Sequence, residues 1–411
     1  MTDVRETLDG LWRAESAGML GVLARRLDDF DRAEEALQEA VAEALRRWPE
    51  EGLPGNPPGW LVTTAWRKAL DRLRREATGR QKAAELAVLE GDSPPPAPTG
   101  DDRLAMIFAC CHPALPESSR IALTLHAASG LTAEAVAAAF LLPRATAAQR
   151  LVRARRHLRD QGVRVEVPSP EEYPDRLPSV LRVVYLLYNE GYLSTGGAPE
   201  RRELAREALD LARQLTALMP DEPEVAGLAA LLELNEARAA ARFDAAGRLV
   251  LMEDQDRSRW DTSRITVAVR LLARAAGADR PGPYQLEAAI AAQHAMAPAY
   301  EHTDWVTVRR LYDLLITVRS TPVVLLGRAV ATGFTLGPAE ALAEVDGLAD
   351  RLDGYRLFHA TRADLLRKLG RDTEAAEATR RALALATNPA ERELLTRRLT
   401  GLPRLNAPGS A

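Results

Sequence analysis

The stretch LTAEAVAAAFLLPRATAAQRLVRARRHLR, residues 131–159, decides the fold. Thr132 offers a side-chain oxygen to the open amides of a first helix, along which Ala135, Val136, Ala139 and Phe140 share one face. LLPR then interrupts. From Ala145 a second helix places Ala147, Leu151, Ala154 and Leu158 at gaps of 4, 3 and 4, a stripe that faces a core. Thr146, Gln149, Arg150, Arg153 and Arg156 point outward. Two short helices joined tightly, the second basic on its exposed side, predict a helix-turn-helix. Residues 143–159 hold six arginines and no acid. Like charges on one short helix cost stability unless an outside polyanion neutralises them, and DNA phosphate is such an anion. A membrane-surface or partner helix is the other reading of this segment taken alone.

The rest of the chain gives that stretch a context. The 411 residues carry a formal net charge of −4, with 46% hydrophobic and only 5% aromatic residues. Ala, Leu, Arg and Glu dominate and long β-branched alternation is missing, so the chain is expected to be all-α and multidomain. Charge is unevenly placed. Residues 27–51 hold nine acids against three arginines, whereas 66–82 hold seven bases against two acids. In the acidic block Ala33, Leu37, Ala40, Val41, Ala44 and Leu45 recur at threes and fours, leaving a wet acidic face. The basic block, GWLVTTAWRKALDRLRRE, interleaves Trp60 and Trp66 with Arg67, Lys68, Arg72, Arg74 and Arg75. Rings that stack on bases beside cations that follow phosphates suit single-stranded DNA, although Trp60, Leu61, Ala65, Leu70 and Leu73 also read as ordinary core.

Two Pro-rich breaks, GDSPPPAPTGDD (91–102) and VEVPSPEEYPDRLP (165–178), divide the chain into helical pieces. No basic start leads into an apolar run and no segment reaches eighteen uninterrupted apolar residues, so a cytoplasmic protein without a membrane anchor is expected. Cys110 and Cys111 are adjacent, which disfavours a disulfide, and Cys110-Cys111-His112 lacks the spacing of a zinc site, so core packing is expected. Tyr188, Glu190 and Tyr192 read as a hydrogen-bond network that fixes the N-terminal helical pieces to the C-terminal one. Glu253, Asp254, Gln255, Asp256, Arg257 and Trp260 read as a structural salt-bridge cluster, since the spacing fits no EF-hand. No catalytic residue, metal or cofactor is expected.

An acidic helix, an aromatic-basic helix, a linker and a helix-turn-helix, in that order, resemble an extracytoplasmic-function (ECF) sigma factor of bacterial RNA polymerase. The residues that carry the resemblance are DRAEEALQEAVAEALRRWP (31–49), PPGWLVTTAWRKALDRLRRE (57–76) and 131–159. The chain also resembles the subgroup with a long tetratricopeptide-like extension, through MIFACCHPAL (106–115), LYNEGYLSTG (187–196), LMPDEPEVAGLAALLEL (218–234), LMEDQDRSRWD (251–261), GPYQLEAAIAAQHA (282–295) and TDWVTVRRLYDLL (303–315). In the middle segment Ala65, Trp66, Arg67 and Lys68 stand where the family commonly has Ala-Arg-Asn-Arg, and Gly327 stands where the subgroup usually has Asn.

The resemblance implies a sigma region 2 bundle over 1–90, a linker over 91–100, a region 4 helix-turn-helix over 101–162, a second linker over 163–178 and a repeat domain over 179–411. It implies Asp31, Glu34, Glu35, Gln38 and Glu39 as the contact to core polymerase. Trp60, Trp66, Arg67, Lys68, Arg72, Arg74 and Arg75 would meet the minus-ten element, and Arg144, Thr146, Gln149, Arg150, Arg153 and Arg156 the minus-thirty-five element. Expected partners are core RNA polymerase, promoter DNA and a protein or peptide in the repeat groove. Ala363, Gly370, Ala375 and Ala382, at gaps of 7, 5 and 7, match the small positions where paired repeat helices cross closely. The competing expectation is a stand-alone helix-turn-helix regulator on a repeat scaffold.

Overall fold

The computed structural model describes residues 4–76, 94–139, 142–193 and 201–400. Phe140 of the predicted first-helix face, residues 77–90 of the predicted region 2 span and residues 91–93 of the predicted linker lie outside them. The chain forms two compact units, Met1–Leu187 and Tyr188–Ala411.

The first unit opens with α1 (Val4–Leu27), α2 (Phe30–Glu51) and α3 (Pro57–Glu76), which pack on one another as a three-helix bundle. Asp28, at φ 49, turns the chain between α1 and α2, and Asp29 then caps α2 by accepting the Arg32 amide at 3.1 Å. α4 (Gly100–Cys110) begins at a capping box in which Thr99 and Asp102 bond reciprocally. α5 (Glu117–Leu123) runs into a π-helical turn, Thr124–Ala128, followed by α6 (Ala133–Ala139) and α7 (Arg144–Asp160). Along α7 the buried residues are Ala147, Leu151, Ala154 and Leu158, the stripe the spacing predicts, and it packs on α5 and α6. Cys110 and Cys111 are free thiols in the core.

The break expected at 163–178 is shorter than the prolines suggest. Pro174 and Pro178 lie within α8 (Tyr173–Tyr192), whose first residues belong to the first unit. Ser179 Oγ donates to the Cys111 carbonyl at 2.6 Å, and Tyr173 stacks on Phe108. A proline in a first helical turn has no amide bond to lose, so the start of α8 tolerates Pro174. The unit boundary falls after Leu187.

The second unit continues with α9 (Arg202–Leu218), α10 (Pro223–Ala237), α11 (Thr262–Ala276), α12 (Pro283–Met296), α13 (Trp305–Val318), α14 (Pro322–Thr335), α15 (Pro338–Asp346), α16 (Ala349–Leu352), α17 (Arg356–Lys368), α18 (Asp372–Leu385) and α19 (Pro389–Thr400). α10 packs against α9, α11 and α12, and is buried on every side. Its Glu233, only 3% exposed, accepts from Arg213 at 2.8 Å and Arg264 at 2.7 Å, so the buried carboxylate is paired twice. Later neighbours pack sequentially, α13 on α14, α14 on α15, α17 on α18 and α18 on α19. Gly370, at φ 70, makes the turn between α17 and α18, while Ala363, Ala375 and Ala382 are buried. A side chain at Gly327 would meet the Tyr312 hydroxyl at 2.6 Å, so the ring fills the space an Asn would need.

Candidate functional site

α7 presents two faces that do different things. Thr146, Gln149, Arg153 and Arg156 are exposed, and Arg150 is half-buried. Arg144 is exposed and ion-paired with Glu134 of α6, and Arg156 pairs with Asp160 one turn on, at 3.5 Å. Exposed pairs of this kind contribute little and are easily exchanged for another anion. The flank of the stripe is another matter. Arg155, 12% exposed, pairs with Asp31 of α2 at 2.8 Å and also with Glu34, itself 14% exposed. Arg159 reaches Asp31 at 3.4 Å and Asp29 at 3.9 Å. So two of the six arginines, Arg155 and Arg159, face carboxylates of α2, and the acid-free stretch is partly neutralised from within.

Glu34 is the centre of this group. His126, carried by the π-helical turn, places Nε2 at 2.7 Å from Glu34 Oε1 and Nδ1 at 2.7 Å from the Leu131 carbonyl. Both ring nitrogens therefore lie against oxygen atoms of the neighbouring chain segments. Gln38 donates to the same Glu34 oxygen at 3.2 Å. Burial alone would raise the Glu34 carboxyl, but the His126 hydrogen bond and the Arg155 and His126 charges outweigh it and hold the group below its ordinary value.

The other predicted acids turn the opposite way. Glu35 pairs with Arg72 of α3, Glu39 lies 4.0 Å from the same guanidinium, and Glu43 pairs with Lys68 at 3.5 Å. The acidic and basic blocks therefore do not stand apart, because α2 and α3 are neighbours whose charged edges meet. Arg67, Arg74 and Arg75 are exposed, with Arg74 on Asp71 at 2.8 Å. Trp66 is 1% exposed and cannot offer a ring face to a base, so it leaves the predicted DNA-binding set as a core residue. Trp60 is half-buried and meets Trp48 edge-on at 5.4 Å between centroids.

Comparison with known proteins gives the helices that carry these surfaces a family. "Sigma-70 region 2" matches residues 11–78 and "Sigma-70, region 4" matches residues 105–158. The first unit carries sigma-70 regions 2 and 4. The region 2 match spans most of α1 to α3, and the region 4 match runs from α4 through α7, so the two faces of α7 belong to the helix-turn-helix of a sigma core. Residues 176–276 match a family of unknown function (DUF6596). An uncharacterized protein of Rhizobium meliloti (strain 1021) is 43% identical over 382 residues, 90% of each chain. A probable ECF RNA polymerase sigma factor, SigI, of Mycobacterium tuberculosis (strain ATCC 25618 / H37Rv) is 25% identical over 169 residues, 39% of this chain and 58% of its own. The ECF RNA polymerase sigma factor SigK of Mycobacterium ulcerans (strain Agy99) is 32% identical over 118 residues, 27% of this chain and 62% of its own. No solved structure matches the chain.

A sigma core supplies recognition rather than catalysis. Among the described residues no group of His, Cys, Asp and Glu could hold a metal ion, and no helix is long and apolar enough to cross a membrane. The remaining polar clusters have structural work. Arg257 does not form the salt bridges its acidic neighbours suggest; it donates to the His294 and Ala297 carbonyls at 2.6 and 2.8 Å, closing the C-terminus of α12, and lies over Trp260. Tyr188 donates to Glu236 at 3.3 Å, Arg202 pairs with the same carboxylate, and Arg242 covers Tyr192, a network within the second unit. The sequence reading missed His126 and Arg155. Their one sequence signal is Arg155 and Arg159 flanking the apolar stripe instead of lying opposite it.

Proposed function

We propose that the chain is an ECF sigma factor that directs core RNA polymerase to promoters, with its C-terminal portion acting in cis. The observation that carries the reading is a helix-turn-helix and a three-helix region 2 bundle on one chain, with the exposed row Thr146, Gln149, Arg153 and Arg156 on a helix whose opposite side is core. The N-terminal half of α7 would read base edges in the major groove while its arginines hold phosphates. Arg67, Arg74 and Arg75, with Lys68, Arg72 and the half-buried Trp60, would serve the minus-ten strand. The acids and Gln38 of α2 would meet a basic surface of polymerase.

For residues 179–411 we infer a tetratricopeptide-like regulatory domain with a groove for a protein or peptide. The sequential packing of α13 to α19 and the buried small residues Ala363, Ala375 and Ala382 support it. Covalent attachment gives such a domain a high effective concentration at the sigma core.

The test is transcription from purified components. Sigma-free polymerase with this chain should give start-site-specific transcripts from genomic templates, and Glu39→Arg should weaken polymerase capture. Binding to duplex DNA with no initiation at any site would instead make the chain a stand-alone helix-turn-helix regulator. Arg153→Ala should lower the slope of log K against log salt by about 0.9, the value of one phosphate contact. An unchanged slope would take Arg153 out of the DNA face.

A further inference from the structure

One edge of the α2 face that the sigma reading gives to polymerase, Asp31 and Glu34, is already occupied. We propose that the first unit is a self-closed state, in which the helix-turn-helix sits on the polymerase-binding face of region 2 and competes with polymerase for it. The proposal rests on the sigma reading for the identity of the competitor, but the closure itself does not.

Four contacts hold the two modules together. Asp31 and Glu34, two of the five proposed polymerase contacts, are taken by Arg155, Arg159 and His126 of the helix-turn-helix. α1 packs along α4 at close range: a Cβ at Gly21 would lie 2.3 Å from the Asp102 carbonyl oxygen, and one at Gly18 3.0 Å from Pro98. Arg25 of α1 pairs at 2.6 Å with Asp102, which is 2% exposed. Trp12 Nε1 donates to the Gly130 carbonyl at 3.0 Å.

This arrangement cannot be the one that reads a promoter. Elements about 25 base pairs apart are separated by roughly 85 Å of duplex, at about 3.4 Å per pair, whereas here the modules share ion pairs. The chain from Glu76 to Gly100, 23 intervening residues, reaches at most roughly 80 Å when extended, so covalent connectivity permits separation on that scale. The interface is also built to part. A cavity of about 410 Å³ lies within it, lined among others by Trp12, Ser16, Glu34, His126 and Arg155, and the buried Ser16 hydroxyl has no hydrogen-bond partner. Its ion pairs through Asp31 and Glu34 use acids that a basic polymerase surface could take over. The arginines released from Asp31 and Glu34 lie on the DNA-reading helix, so opening frees the acids of α2 and adds Arg155 and Arg159 to the positive charge of α7.

The test uses the full chain with spin labels at Ala42→Cys on α2 and His157→Cys on α7, both exposed positions, the native cysteines being buried. The free chain should give a single short distance. Arg155→Glu, which repels Glu34, and Gly21→Ala, which favours the helix of α1 while wedging it off α4, should each shift the distribution to long separations. Each should tighten binding to sigma-free polymerase, by about tenfold if closure leaves a tenth of the chain competent. Glu34→Arg added to Arg155→Glu should restore the short distance. A long distance in the unaltered chain, or folded variants with unchanged distance and unchanged polymerase affinity, overturns the closed state. A closed chain whose opened variants still ignore polymerase sinks the sigma reading and the competition with it.

Discussion

Arg155 of α7 and Glu34 of α2 stand 121 residues apart in the chain and form an ion pair with 12% and 14% of their side chains exposed. A pair this withdrawn from water behaves unlike the exposed Glu35–Arg72 pair beside it. Removing one partner leaves the other charge buried with one counter-charge fewer, whereas removing both can be nearly neutral. Arg155→Ala should therefore destabilise the closed unit by roughly 2–3 kcal/mol, and Glu34→Gln with Arg155→Met should cost less than the two single changes added. Hydrogen exchange of the α2 and α7 amides reads this directly. Additive losses would show that the pair is not coupled.

The same carboxylate sets an acid limit. Glu34 ionises below its ordinary value of 4.5 because His126 and Arg155 outweigh the opposing effect of burial. A lowered folded-state value means that its stabilising contribution is complete above about 4.5 and drains away as pH falls through the folded value. Closure should therefore hold at neutral pH and weaken on acidification below pH 4.5. Glu34→Gln should flatten that acid limb in a label-distance titration. An acid limb identical in the variant would place the responsible carboxylate elsewhere.

How much of this could be read from sequence depends on the information a helical period encodes. Ala147, Leu151, Ala154 and Leu158 repeat at 3.6, so the buried side of α7 and the helix-turn-helix were legible. The period places Arg155 and Arg159 beside the stripe but cannot say what lies across it, because their partners depend on how α2 and α7 meet. Trp66 shows the opposite failure. Rings among arginines look alike whether they stack on a base or fill a core, and only packing separates Trp66 from Trp60. For Arg257 the acids next to it in sequence suggested salt bridges, yet its guanidinium turns to carbonyls of α12, nearly forty residues away.

Burial of Trp66 makes a separate claim. With the ring 1% exposed, Trp66→Ala leaves a cavity and should cost about 3–5 kcal/mol. Trp66→Phe should retain most of the stability and leave the affinity for minus-ten single strands unchanged. Fluorescence quenching by such a strand should fall on Trp60 and spare Trp66. Loss of strand affinity in a fully folded Trp66→Phe chain would return that ring to the DNA face.

In the second unit, one side chain caps a helix other than its own. Glu224, in the first turn of α10, accepts the Tyr284 and Gln285 amides at 3.0 Å each, and so supplies the cap that Gly282 lacks for α12. Glycine at 282 is what admits it, since a Cβ there would lie 2.2 Å from the Glu224 carboxyl carbon. Negative charge at a helix N-terminus is also favoured by the helix dipole. Glu224→Ala should therefore cost about 1–2 kcal/mol, with Glu224→Gln recovering part because its amide oxygen still accepts. The loss should appear as faster exchange at Tyr284 and Gln285, with the inner amides of α11 unaffected. Uniform acceleration across the unit would mean that Glu224 holds the packing of α10 and not the end of α12.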